Sequence, residues 1–390
     1  MEDVERPVAW SADRLDTRLR QGRLGPDHLR ALARELARFH AGARCDAEIA
    51  RHGTCDALAR RVRERCDALR RVWPASAEAA RVGELEAHQL DLLDRLAGRI
   101  EARRESGRIR AGHGDLRLER VHVDPGSRVA WSRPRCGLAA RAADVCADVA
   151  SLSRQLAVHG RRDVAERWIA AYADAAQDYG IYPLVELYEG LASWALAEEI
   201  ARESAARLDP GDVERGLRAA LSPELASPPP RIVVVDGLAA TGRSTLAERI
   251  AAGLRAPVVA AGRAGDAGEV LQRVERVLES RRPVVIDGGF GSQAARAALR
   301  AVAAEHGLPF LFVECRTHDA LLRRRLHGRD ATLREAADGR WEPADELPGE
   351  ARLVIDTSKH PEGNAVRIRQ VLGRVLSQVR RAPTQQISAT

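Results

Sequence analysis

From Pro26 onward, Leu29, Leu32, Leu36 and Phe39 step by three and four, a spacing that lines one face of a helix. Gly25-Pro26-Asp27 opens that helix, since proline is tolerated at the first helical position. Leu58, Val62, Leu69 and Trp73 predict a second helix, ended by Pro74. Val82, Leu85, Leu92, Leu96 and Ile100 predict a third. Two strand-like pieces follow, Val121–Asp124 and Val129–Trp131, flanking a turn at Pro125-Gly126. Helical patterns resume over 139–159, 163–179 and 184–207.

At Arg231 the period changes. Five apolar runs alternate with helical patterns: IVVV from Ile232, PVVAA from Pro257, PVVID from Pro283, PFLFVEC from Pro309 and RLVID from Arg352. Such alternation predicts a parallel, doubly wound sheet that binds ligands at the carboxyl ends of its strands. SPELASPPP (Ser222–Pro230) cannot continue a helix and reads as a linker. The expected organisation is a mostly helical domain over 1–221, a linker over 222–230, an α/β domain over 231–380 and a disordered tail over 381–390. No internal repeat is visible.

Composition narrows the function classes. The chain has 390 residues, 45% of them apolar, enough for two cores. No apolar run reaches membrane-spanning length, and the acidic start (Glu2, Asp3, Glu5) is unlike a signal peptide. The six cysteines form no C-x-x-C pair and read as reduced thiols, so a cytoplasmic location is expected. A net charge of +6 is spread among acidic residues, and aromatics are only 4%, which disfavours nucleic acid as a partner. Nothing in the sequence sets an oligomeric state. Lys359 is the only lysine among 62 basic residues, so arginine stands wherever a cation is needed.

That substitution reaches the most telling motif. In RIVVVDGLAATGRSTLAERI (231–250), Gly237 and Gly242 bracket four residues, with Ser244 and Thr245 behind them. This follows the phosphate-loop pattern G-x-x-x-x-G-K-[ST], except that Arg243 replaces the lysine. Glycines let successive N–H groups face phosphate oxygens, the lysine reaches the β/γ-phosphates, and the serine hydroxyl holds Mg²⁺. Gly237, Thr241, Gly242, Arg243, Ser244 and Thr245 are therefore the candidate ATP or GTP ligands. Asp287, ending VVID, either orients the Mg²⁺ shell with Ser244 or caps the next turn. Arg323, Arg324, Arg325 and Arg329 sit where small P-loop kinases carry lid arginines, or else form a solvated basic face; Arg325 and Arg329 are the catalytic candidates.

GLAATGRSTLAERIA, VVIDGGF, HGLPFLFVECRTHDALLRRRLHGRD, the WEP of Trp341–Pro343 and LVIDTS together resemble the C-terminal half of certain two-domain bacterial proteins. These fuse an aminoglycoside-phosphotransferase-like domain to a P-loop, gluconate-kinase- or zeta-toxin-like ATP-binding domain. The resemblance covers 231–380, with two departures: Arg243, and a short 260–282 segment lacking the family's substrate stretch. AGHGDLRLERVHVD resembles the kinase-like catalytic loop H-G-D-L-H-x-x-N. The resemblance makes Asp115 the general base, puts Arg120 where the metal-binding asparagine belongs, and puts Ser132 where a second metal-binding aspartate belongs. Arg141, Asp144 and Asp148 keep an R-x-x-D-x-x-x-D spacing that would set both acids on one helix face, holding the loop in shape. ERPVAWSADRLDTRLRQGRL resembles a kinase hinge, so no ATP-clasping β-lobe is expected ahead of the helical remnant. Two readings follow. One is a phosphotransferase acting through the P-loop domain on a small-molecule acceptor of unassigned identity. The other is an inactive pseudokinase that senses nucleotide as a regulator or scaffold.

Overall fold

The computed structural model describes residues 13–72, 77–124, 126, 128–132, 136–207, 229–261, 267–326, 341–359 and most of 363–373. Residues 222–228 of the expected linker and the tail lie outside these, as do Arg329 and the first eight residues of the hinge-like segment. The chain divides into two compact units, Met1–Ala226 and Ser227–Thr390. It is α/β overall, a mostly helical unit followed by a doubly wound P-loop unit. No described helix is long and apolar enough to cross a membrane.

The first unit begins with strand β1 (Asp13–Arg14) and helices α1 (Leu15–Arg20), α2 (Pro26–Gly42), α3 (Ala47–Ala50), α4 (Cys55–Val72) and α5 (Ala77–Glu105). On α2 the predicted stripe is buried at Leu29, Leu32 and Leu36. Asp46 caps α3 by accepting from the Ile49 N–H. Strands β2 (Ile109–Ala111), β3 (Val121–Val123) and β4 (Val129–Trp131) precede α6 (Leu138–Arg141), β5 (Ala142–Asp144), α7 (Cys146–Val158), α8 (Arg162–Ala175) and α9 (Tyr182–Arg207). β1, β3 and β4 form one antiparallel sheet; β2 and β5 form another. α7 packs on α8 and α9, and the buried Trp168 indole on α8 donates to the Val149 carbonyl at 2.9 Å.

Two predicted helices depart from their expected spans. The 139–159 pattern is broken by β5, because Asp144 leaves the helical path to pair with Arg103 and to accept from the Cys146 N–H. The backbone there joins β2 instead, an exchange that three residues of AAD do not announce. The 163–179 pattern stops at Ala175. Gln177 then turns left-handed (φ 47°), which delivers Asp178 to the same Arg103.

The second unit is a five-stranded parallel sheet: β6 (Ile232–Gly237), β7 (Val258–Ala260), β8 (Val284–Asp287), β9 (Phe310–Arg316) and β10 (Arg352–Asp356). Its order is β10-β9-β6-β8-β7. Helices α10 (Arg243–Leu254), α11 (Ala267–Glu279), α12 (Gln293–Glu305) and α13 (Asp319–Leu326) connect the strands. Val233, Val235, Val285, Leu311 and Val313 make the core beneath α10. β6 is central and buried along its whole length, and strand order reverses around it. That reversal is the switch point where open α/β sheets bind ligands.

Candidate functional site

β6 delivers the glycine-bracketed loop to the carboxyl end of the sheet, and α10 carries the chain away. Gly237 (φ 151°) lies so close to β9 that an added Cβ would sit 2.4 Å from the Cys315 carbonyl oxygen. Gly242 (φ 91°) makes the left-handed turn into α10. Between them Thr241 is buried and ties the loop to itself, its hydroxyl donating to the Leu238 carbonyl at 2.8 Å. Ser244 and Thr245 are exposed in the first turn of α10, where helix N–H groups and the helix dipole favour an anion. The register pairs Val235 with Asp287, so Asp287 stands beside the loop.

Arg243 folds onto the floor of this site. One guanidinium nitrogen donates to Asp236 Oδ1 (3.2 Å) and to the Gly237 carbonyl (3.1 Å). Its Nε lies 3.7 Å from Asp287 Oδ1. Gly288 gives the guanidinium room, since a Cβ there would be 3.1 Å from its central carbon. Burial pushes the Asp236 carboxyl above its ordinary range, with Arg243 and the Gly237 and Phe290 N–H groups pulling it back. Asp287 is pushed up by burial too, opposed by the Ser244 hydroxyl and Arg243. One oxygen of Asp287 is buried without a hydrogen bond. A carboxylate oxygen without a hydrogen bond, though faced by Arg243, beside a serine hydroxyl is the hard oxygen donor set that Mg²⁺ prefers, so the residues present fit that ion.

Arg325 on α13 reaches back to the loop, donating to the Ala240 carbonyl at 3.2 Å. Thus Gly237, Thr241, Gly242, Arg243, Ser244, Thr245, Asp287 and Arg325 gather around one loop, whereas Asp115 belongs to the other unit. Two residues went unnoticed in the sequence. Asp236 binds Arg243 and takes the Phe290 N–H at 2.7 Å; its signal is an acid ending the otherwise apolar IVVVDG strand. Arg296, fully buried, holds Glu346 and the carbonyls of Phe290, Gly291, Glu342 and Pro343, pinning the 341–347 segment beside β8; nothing in its local sequence marks it.

In the first unit the loop from His113 to Arg120 is held by Asp148, which accepts from the His113 N–H (2.7 Å) and the Gly114 N–H (2.8 Å). Behind it the Tyr172 hydroxyl meets His40 Nδ1 at 2.7 Å, and His40 Nε2 meets Asp148 at 3.0 Å. Burial pushes Asp148 up, but His40 and the loop N–H groups more than offset this and hold it below its ordinary value. Asp144 does not share a helix face with it: Asp144 ends β5 and binds Arg103, while Asp148 lies in the first turn of α7. Asp115 is engaged by two cations, Arg117 at 2.8 Å and Arg120. The Ser132 backbone joins Arg120 and His113, its N–H donating to the Arg120 carbonyl and its own carbonyl receiving His113 Nε2.

Residues 232–342 match a family model described as an AAA domain. Uncharacterized proteins of Mycobacterium bovis and Mycobacterium tuberculosis are 27% identical to this chain, with 71% of it aligned. The chain covers 61% of the length of these relatives. Among solved structures, similarity is found to a sugar kinase from Janibacter sp. (18% identity, 39% of this chain, 98% of that one, TM-score 0.30). A gluconokinase from Sinorhizobium meliloti is similar at 19% identity, 40% and 97% coverage and a TM-score of 0.29.

Proposed function

We propose that the P-loop unit binds ATP or GTP with Mg²⁺ and transfers the γ-phosphoryl group to a small-molecule acceptor. The observation that carries this reading is the loop from Gly237 to Ser244, running from a buried central strand into a helix N-terminus with Asp287 alongside. In it the loop N–H groups and the start of α10 bind the phosphates, and Ser244 and Asp287 hold the metal. Mg²⁺ supplies charge neutralisation at the β- and γ-phosphates. Arg243 and Arg325 place positive charge beside the transferring group, and the lid role extends to Arg329. Phosphoryl transfer depends mostly on position and charge, so a displaced cation slows it without abolishing binding.

The first unit is, in this reading, an aminoglycoside-phosphotransferase-like remnant without kinase chemistry. The Asp115 carboxylate that would accept a substrate proton is occupied by Arg117 and Arg120. A cytoplasmic location fits the reduced cysteines. The second reading, a nucleotide-sensing pseudokinase, is favoured by the engagement of Arg243 with Asp236 and Gly237.

Titrating the full chain with a fluorescent ATP analogue and Mg²⁺, while following phosphate release and transfer, separates the two. Binding with turnover is expected; binding without turnover leaves the sensor, and no binding removes both. Arg243→Lys frees Asp236 and the Gly288 cleft from a bulky fork and restores the slim arm. It is expected to tighten ATP on the order of tenfold, about 1.4 kcal/mol. Unchanged or weaker binding would show that the arginine itself is the ligand-binding cation.

A further inference from the structure

A second cleft opens in the first unit. It has a volume of about 740 Å³, within the range of small-molecule sites, and runs between α4, the loop from His113 to Arg120 and α9. A recess of about 120 Å³ shares Arg61 and Arg65 with it and ends at Arg141. Most acids here are already committed. Glu198 pairs with Arg65 at 2.9 Å and Asp115 with Arg117, while in the recess Asp144 and Asp148 are held by Arg103 and His40. The cations are not balanced to the same degree. Among the described residues, no carboxylate lies within ion-pair reach of Arg60, Arg61 or Arg141, and Glu64 is the one lining acid without an ion-pair partner.

These guanidiniums are not merely solvated. Arg61 is fixed by donating to the Ala139 and Ala142 carbonyls, both at 2.9 Å. Arg141 Nε is buried with no hydrogen-bond acceptor, a cost that an incoming oxygen would remove. His52 on the rim is held below its ordinary value by burial and by Arg61, Arg51 and Arg60, a sign of the positive field. Forked guanidiniums match phosphate and carboxylate oxygens in pairs, and they repel amines.

We propose that this cleft binds a small polyanion, a metabolite bearing two or more phosphate or carboxylate groups, through Arg60, Arg61 and Arg141. Arg60, exposed at the mouth, captures the ligand; Arg61 and Arg141 grip it deeper. An aminated sugar or polyamine is excluded by the same wall.

The test is calorimetric titration of the full chain, without Mg²⁺, using inorganic pyrophosphate, citrate and spermine. Saturable binding of pyrophosphate or citrate is expected, and which of them binds tells phosphate from carboxylate recognition. Arg60→Glu, an exposed change that leaves the fold intact, should weaken the bound anion on the order of tenfold, and Arg141→Gln should do the same. Arg243→Ala should leave this binding in place, which separates it from any anion held by the P-loop. Absence of anion binding, binding lost with Arg243→Ala but kept in Arg60→Glu, or preference for spermine would each overturn the proposal.

Discussion

Arg103 crosses from α5 to two buried carboxylates, Asp144 (2.6 and 2.7 Å) and Asp178 (2.8 and 3.0 Å). Asp144 sits where one predicted helix is interrupted and Asp178 just past where another stops short, so one side chain sets the path of the chain at both places. Removing it strips Asp144 of its ion-pair partner and leaves Asp178 with only Arg108, 3.6 Å away. Arg103→Ala is therefore expected to cost about 3–5 kcal/mol, read as a lower urea midpoint by fluorescence of the buried Trp168 and Trp194. Arg103→Lys should recover little of this, because an ammonium cannot present two forked faces at once. Asp115 is the opposite case. Its carboxylate is half shielded and already held by Arg117 and Arg120, so Asp115→Ala should leave any ATP turnover unchanged. A large loss of turnover would instead make Asp115 a working base.

The junction of β6 with the phosphate loop depends on a glycine for space. At Gly237 an added Cβ would meet the Cys315 carbonyl at 2.4 Å, and β9 cannot retreat without giving up its pairing with β6. Gly237→Ala is expected to destabilise the P-loop unit by about 1–3 kcal/mol and to abolish nucleotide binding. Gly307→Ala is the control. Its φ of 60° is also left-handed, but nothing lies within 4 Å, so it should bear only the backbone cost, about 1–2 kcal/mol, and keep the nucleotide. A melting curve and an ATP titration on both variants check this. The sequence announced the five strands of the second unit and the long helices of the first, because each carries its own period over many residues. β2 and β5 have three residues each and exist through their mutual pairing, which no local pattern encodes. The site divides the same way. Gly237, Gly242, Ser244 and Asp287 were readable from contiguous motifs. The partners of Arg243 were not, because Asp236 and Asp287 come together only through the β6–β8 register.

Across the whole molecule, a net charge of +6 hides an uneven response to pH, because among the described residues the histidines with displaced values all lie in the first unit. His28, His52, His113 and His122 are each held below the ordinary 6.5, burial being the largest cause in every case. His113 shows why. Its Nε2 meets the Ser132 carbonyl at 2.8 Å and so carries the proton, while Nδ1 faces the Asp115 N–H at 3.3 Å and must stay an acceptor. A second proton would point one N–H at another. The unfolded chain binds protons at these histidines near pH 6.5, whereas the folded chain binds them only at lower pH. Over that interval the unfolded state holds more protons, so acidification favours unfolding. The urea midpoint of the first unit should accordingly fall as pH drops from 7.5 to 5.5. His113→Gln, which can still donate to Ser132 and has no titrating ring, should flatten that fall. A midpoint that rises on acidification, or a slope untouched by the substitution, would mean that the histidine ring is charged in the fold and that the Ser132–His113–Asp115 arrangement is not the native one.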